Sequence, residues 1–251
     1  MPTDGESTEQ AARIVELLWR HTRPAKPGAR GPKPGRTVDA VVAAGIALAD
    51  REGIDKLTMR AVATALGLRP MSLYTYVPSK DALVVLMVDA VAAEDAPIPA
   101  ELPIRDRMIT IATGLRTELM AHPWLLEISP WRQVIGPARM RRYENQLRAI
   151  EDAGLSDLAM DRAIAVLTDF ATGNARLAIA AAGAAEQLSD ADWWHMHGPL
   201  LGQMMPAGEF PLAGRVGTAV GEYYQAPADP DGAFAYGVAT LVDGILADAA
   251  T

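Results

Sequence analysis

LTMRAVATALGLRPMSLYTYVPSK, residues 57–80, is the stretch whose reading decides the fold. It reads as two short helices joined by a tight turn at Gly67. Val62, Leu66 and Leu73 fall where they face inward, and Ala63 is small enough for the second helix to cross closely over the first. Gly67 can take the left-handed conformation that ends a helix, which a side chain would resist. Leu68 then tucks under the turn. Outward on the second helix remain Arg69, Pro70, Met71, Ser72, Tyr74, Thr75 and Tyr76. Hydroxyls and an arginine beside an apolar edge suit the floor of a major groove, where hydrogen bonds read base edges and apolar groups touch thymine methyls. The competing reading is a helical hairpin in a core, with Met71 and the tyrosines packed. Spacing, turn glycine and surface chemistry agree on the helix-turn-helix.

Working outward, the totals fit that reading once they are divided. The chain has 251 residues, half of them apolar, and a formal charge of −8, which looks wrong for a nucleic-acid binder. Residues 1–93, however, hold twelve Lys/Arg against ten Asp/Glu, while residues 94–251 hold eleven against twenty-one. Local charge, not the total, attracts phosphate. Alanine and leucine recur at helical spacing and Val/Ile/Thr runs are short, so the fold class is all-α. No cysteine is present, which excludes disulfides and thiolate metal sites and fits a reducing compartment. The apolar run at 177–185 is too short to span a bilayer. Acidic residues at positions 4, 6 and 9 stand where a signal peptide needs positive charge, so a cytoplasmic protein is expected.

Residues 9–22 have helical apolar spacing and open an N-terminal extension. From Arg20 to Arg36 there are six Arg/Lys and no acid, with four prolines and three glycines between Arg23 and Arg36. That composition predicts an extended arm. Arg30, Lys33 and Arg36 can lie along a minor groove, where arginine favours the negative potential of narrow A·T tracts; the alternative is a solvated linker. A helix follows from Thr37 to Glu52, stopped by Gly53. Thr58 is an N-cap candidate, and Ser79 caps another helix with Lys80 placed for phosphate. That helix, to about residue 93, is apolar enough to be buried against more than the small reading unit.

LTMRAVATALGLRPMSLYTYVPSKDALVVLMVD (residues 57–89) resembles the DNA-binding domain of the tetracycline-repressor (TetR) family. The shared elements are the Thr-Met-Arg helix start, Ala-x-x-x-Gly-Leu, Ser-Leu-Tyr-x-Tyr-Val and Ser-Lys-x-x-Leu. The resemblance covers about residues 37–93. It implies a homodimer that presses two recognition helices into successive major grooves of double-stranded, palindromic operator DNA and lets go when a small molecule binds the C-terminal domain. Carried over by position, Arg60, Arg69, Pro70, Met71, Ser72, Tyr74 and Thr75 meet bases or nearby backbone, and Thr58, Tyr76 and Lys80 hold phosphates. Tyr76 stands where many members have histidine; its hydroxyl can still donate to a phosphate.

Three prolines within residues 96–103 make an interdomain bend, dividing the chain into an extension (1–36), a helix-turn-helix domain (37–95) and a C-terminal ligand and dimerisation domain (96–251). Further helices are expected at 103–121, 137–152 (basic outward at Arg139, Arg141, Arg142 and Arg148), 156–186, 190–205, 212–224 and 233–249, with a mobile loop at 226–232. The 156–186 helix is apolar nearly all round and belongs at a centre or an interface. The last helix resembles that of one subgroup of TetR-type ligand domains, which implies pairing of the 156–186 and 233–249 helices in a dimer interface. Candidate ligand contacts are Arg116, Met120, Trp124, Trp131, Phe170, Asn174 and Trp193, a wide apolar set with a few polar groups that suits a mostly apolar effector. Asp169, Asn174 and Arg176 interrupt the 156–186 helix as ligand contacts or, the favoured reading, as a buried structural network.

His195 and His197 invite a metal reading, but residues two apart on a helix point in different directions and no carboxylate completes a set. No metal or cofactor is expected. Neither a nucleophile elbow nor a phosphate loop is present, so an enzyme is the weaker alternative. A DNA-binding regulator with a ligand-free dimer module is another.

Overall fold

Three hydroxyl residues start three of the helices that build the N-terminal half. Thr37, Thr58 and Ser79 each take extended backbone, and each side-chain oxygen accepts the N–H three residues on, at 3.1 Å in every case. These caps set α2 (Val38–Glu52), α3 (Met59–Ala65) and α5 (Lys80–Ala92) by satisfying amides that a helix start leaves orphaned. Between α3 and α5 lies α4 (Pro70–Leu73), a single turn with Pro70 at its first position. Gly67 sits at φ +67, and the Leu68 N–H reaches back to the Ala63 carbonyl at 2.8 Å, closing the α3 end as the glycine predicts.

The computed structural model describes residues 4–22, 36–131, 133–206 and 208–249. Among them every regular element is helical. α1 (Asp4–Leu18) begins earlier than the 9–22 reading and ends before it, because the chain turns at Trp19 and Arg20 to bind other elements. Its Leu18 is buried in the first of two cores, which α2 to α5 complete around Val41, Val62, Leu73, Leu83 and Met87. Arg20 and His21 both reach Asp39 on α2. The Asp39 carboxyl feels some burial, which alone would raise its pKa, yet these two partners hold it below the usual value.

The second core is built by α6 (Ile104–Ala121), α7 (Pro137–Ile150), α8 (Asp157–Ala185) and α11 (Pro230–Ala249), around Met108, Ile150, Leu167 and Val242. Gly237 of α11 lies so close to Phe170 that an added Cβ would come within 2.2 Å of the ring. Phe170 in turn stacks on Phe234 at 5.8 Å. α11 starts at Pro230 rather than residue 233, since the Asp229 carboxylate accepts the Gly232 N–H at 2.9 Å; of the loop expected at 226–232, residues 226–229 are non-helical and the last three belong to α11. By length and composition α11 could cross a membrane, unlike the shorter apolar run at 177–185. Here it packs on α6 and α8, and its Asp231 and Asp243 pair with Arg116 and Arg105.

α9 (Asp190–Met204) and α10 (Pro211–Tyr224) form a hairpin in which Trp194 fills the space left by Gly221, where a Cβ would meet the indole at 1.7 Å. The hairpin leaves Leu200, Leu201, Met204 and Leu212 exposed.

Candidate DNA-reading head and candidate effector cavity

The α3–α4 unit displays its sequence-expected face. Met71 is 77% exposed and Tyr74 42%; Arg60, Arg69, Pro70 and Thr75 are exposed, while Ser72 and Tyr76 are half-buried. Tyr76 packs against the first core. Thr75 donates its hydroxyl to the Ser72 carbonyl at 2.7 Å, fixing the turn after α4. The Thr58 hydroxyl oxygen is committed to its cap bond, which leaves its proton free to donate outward. Lys80 departs from a free phosphate hook: its ammonium donates to the Ile54 carbonyl at 3.1 Å, leaving two further donors. Arg36 donates to the Leu66 carbonyl at 3.1 Å, which ties the end of the N-terminal extension to the reading turn. Arg30 and Lys33 lie outside the described residues.

Two carboxylates help hold this head to the rest of the chain. Asp89 of α5 is 8% exposed and accepts the Ala138 and Arg139 N–H groups at 3.3 and 2.9 Å, capping α7 from outside it. Gly136 makes this possible, since a Cβ there would lie 2.3 Å from the Asp89 carboxyl. The second connection joins Asp50 on α2 to the end of α6. One oxygen of Asp50 accepts from His122 Nδ1 and from Trp124 Nε1, both at 2.7 Å. A carboxylate without a proton only accepts, so Nδ1 carries the ring proton. Trp124 follows the α6 stop in a short 3-10 turn, Pro123–Glu127. It is 1% exposed, inside the first core.

His122 also lines a cavity of about 520 Å³ between the end of α5, the 94–98 segment, one side of α6 and the inner side of α7. Its apolar wall includes Val91, Ile98, Ile109 and Leu115; its polar wall includes Thr110, Thr117, Glu118, Arg142 and Gln146. Arg142, expected outward, turns inward. Its guanidinium grips Glu118 with two nitrogens and reaches Asp95 at 3.2 Å. Burial alone would lower the Arg142 pKa, but Glu118 and Asp95 raise it above the ordinary arginine value.

None of the seven residues singled out as ligand contacts lines this cavity. Arg116 is instead bonded to Asn174 at 2.6 Å and to Asp231, and lies 4.9 Å over the Phe234 ring. Asn174 also donates to the Pro230 carbonyl at 2.9 Å. Arg116, Asn174 and Phe170 thus gather into the structural network that pins α11 to α6 and α8. Trp124 belongs to the first core, and Trp131 is 79% exposed. Met120 is 41% exposed on α6. Trp193 stacks on His197 of its own helix at 4.5 Å. His195 and His197 each bond the carbonyl four residues back. The sequence reading missed Asp50, Glu118, His122, Arg142 and Gln146. For His122 the signal was present, as the stop of α6, but a stop residue reveals nothing of what its ring faces.

The family model for bacterial regulatory proteins, tetR family, matches residues 41–87, and that for the tetracyclin repressor-like, C-terminal domain matches residues 97–249. The chain is 36% identical over 215 residues to the HTH-type transcriptional repressor DrrR1 of Streptomyces coeruleorubidus, across 84% of this chain and 78% of that protein. It is 28% identical to the tetracycline repressor protein class A from transposon 1721 of Escherichia coli, across 82% of this chain and 89% of that one. Among solved structures, ActR of Streptomyces coelicolor in complex with actinorhodin superposes with a TM-score of 0.71 at 27% identity, over 85% of this chain and 97% of the other.

Proposed function

The chain belongs to the tetracycline-repressor (TetR) family of ligand-responsive, DNA-binding transcriptional repressors, and on that premise we propose how this member reads DNA and how its effector is felt. The reading surface is α4 with its flanks: Arg60, Arg69, Pro70, Met71, Ser72, Tyr74 and Thr75 toward bases and nearby backbone, with Arg36, Thr58, Tyr76 and Lys80 toward phosphates. Phosphate contacts set affinity and its salt dependence, and the base-facing side chains set sequence choice. The basic arm with Arg30 and Lys33 adds minor-groove contact.

The protein acts as a cytoplasmic homodimer on a palindromic site, as a regulator rather than an enzyme, with α8 and α11 forming the subunit contact. Leu158, Val166 and Leu177 of α8 and Tyr236 of α11 are large and exposed on this chain, and a second copy would remove them from water. DNA-contact residues 37–95 then work as one domain and residues 96–251 as the effector and dimer domain.

The effector occupies the 520 Å³ cavity. The observation that carries this is the shared carboxylate. His122 is part of the cavity wall, and the Asp50 oxygen that holds it also holds Trp124 in the core of the head. A ligand that prefers a displaced His122 therefore also prefers a displaced α2. By linkage, DNA that needs α2 in place lowers the affinity for that ligand, and the ligand lowers the affinity for DNA by the same factor.

Binding to the DNA upstream of its own gene, measured across a salt series against a scrambled duplex, tests the DNA half of this reading. Selective binding that weakens with salt supports it, as does a loss of selectivity in Tyr74→Ala. Equal binding to both duplexes that Tyr74→Ala and Lys80→Ala leave unchanged would contradict it.

A further inference from the structure

We propose that the effector of this cavity is a cationic amphiphile: a flat apolar body bearing a protonated amine. The inference rests on the cavity reading above and concerns what that cavity offers a guest. Most of its side-chain donors are already committed. Thr110 gives its hydroxyl proton to the Asp106 carbonyl at 2.8 Å, and Thr117 gives its own to the Thr113 carbonyl at 2.9 Å. Both oxygens keep lone pairs for a ligand. His122 directs its Nδ1–H at Asp50, so that donor is committed as well. The Arg142 guanidinium is held between Glu118 and Asp95. An anionic ligand could recruit it only by breaking a bidentate ion pair, which leaves a half-buried carboxylate uncompensated.

Charge points the same way. Three carboxylates, Glu94, Asp95 and Glu118, border the cavity against one guanidinium. A guest cation gains from that excess, while a guest anion meets both the excess and the lack of a free cationic donor. Opposite the polar wall stand Val91, Ile98, Ile109 and Leu115, which reward apolar area removed from water. The occupant with matching halves carries donors and positive charge on one edge and rings on the other.

Three fused-ring probes of similar size separate charge from shape: proflavine (cationic), 9-anthracenemethanol (neutral) and 9-anthracenecarboxylate (anionic). Each is titrated into the full chain by fluorescence, and in parallel into Gly114→Phe. Gly114 lines the cavity, and a Cβ there meets nothing closer than Asp95 at 3.7 Å, so the phenylalanine ring fills the space. Proflavine should bind at least about tenfold tighter than the other two, lose most of that affinity in Gly114→Phe, and weaken as salt rises. Glu118→Gln frees Arg142 and should move the preference toward 9-anthracenecarboxylate. Asp95→Asn makes the same test with a milder change, should Glu118→Gln fail to fold. Cavity-dependent binding of the neutral or anionic probe as tight as that of proflavine would overturn the charge inference and leave the effector cavity standing. Indifference of all three probes to Gly114→Phe, or no binding of any, would overturn the cavity reading and this inference with it.

Discussion

The head and the cavity are both built on helices, but from residues at very different separations. Most of the head closes within residues 37–92, by three caps, the positive-φ Gly67 and apolar side chains that meet close neighbours in sequence, with Leu18 and Trp124 completing its core. The cavity draws on residues 91–146 and on Asp50, and its polar wall is joined across α6 and α7 where Arg142 turns toward Glu118, 24 residues away. A unit made of local contacts tolerates little change in its small residues and shows its function on its face. A unit made of distant contacts can keep its fold while its lining varies, which suits a site that has to suit one ligand.

The comparison breaks most visibly at the residue that joins the two units. Trp124→Ala removes a fully buried ring and one of the two donors that Asp50 holds, which should cost about 3–5 kcal/mol in urea unfolding. Operator binding should fall with it, although the substitution lies outside the reading unit. Leu73→Ala, inside the head at 0% exposure, should cost about 2–5 kcal/mol and abolish operator binding while ligand binding in the cavity survives. Gly67→Ala places a Cβ at φ +67 and should destabilise the head by about 1–2 kcal/mol, read as a lower midpoint for the head and unchanged probe affinity. Trp131→Ala, at an exposed site, should shift stability by no more than about 0.5 kcal/mol.

A pH titration sharpens the contrast within the second core. The Arg107 guanidinium donates to Asp152 and holds that carboxyl below its usual pKa. A carboxylate whose folded pKa is depressed adds stability above its unfolded pKa, and that stability is lost as pH falls through the folded value. Denaturation midpoints of Asp152→Asn should therefore converge on those of the unmodified chain at the acid end and fall short of them near neutrality.

These differences explain what could be read from sequence. Thr58, Gly67, Ser79 and the α4 face were legible because capping and turn chemistry act over three or four residues. The cavity lining was not, because its residues come together only where α5, α6 and α7 pack, whereas size and polarity drew attention to Arg116, Asn174 and the tryptophans. Arg116 and Asn174 fasten α11, and Trp124 fills a core, as large side chains usually do. Arg142 was read outward from a helical pattern in which its neighbours Arg139 and Arg141 are also basic. Only the approach of α6 shows that a carboxylate waits for it. The ends of α1 and α11 moved for related reasons, since Arg20 binding to Asp39 and the Asp229 cap each recruit a partner that helical periodicity does not register.

Gly114→Phe supplies the most direct test of the coupling, because it fills the cavity without any ligand. Its affinity for the upstream DNA should fall roughly tenfold, within the ordinary range of allosteric coupling, while affinity for scrambled DNA stays unchanged. Adding Asp50→Asn should shrink that difference by cutting the link between His122 and α2. A folded Gly114→Phe protein with undiminished operator affinity would contradict the claim that the cavity governs the reading head.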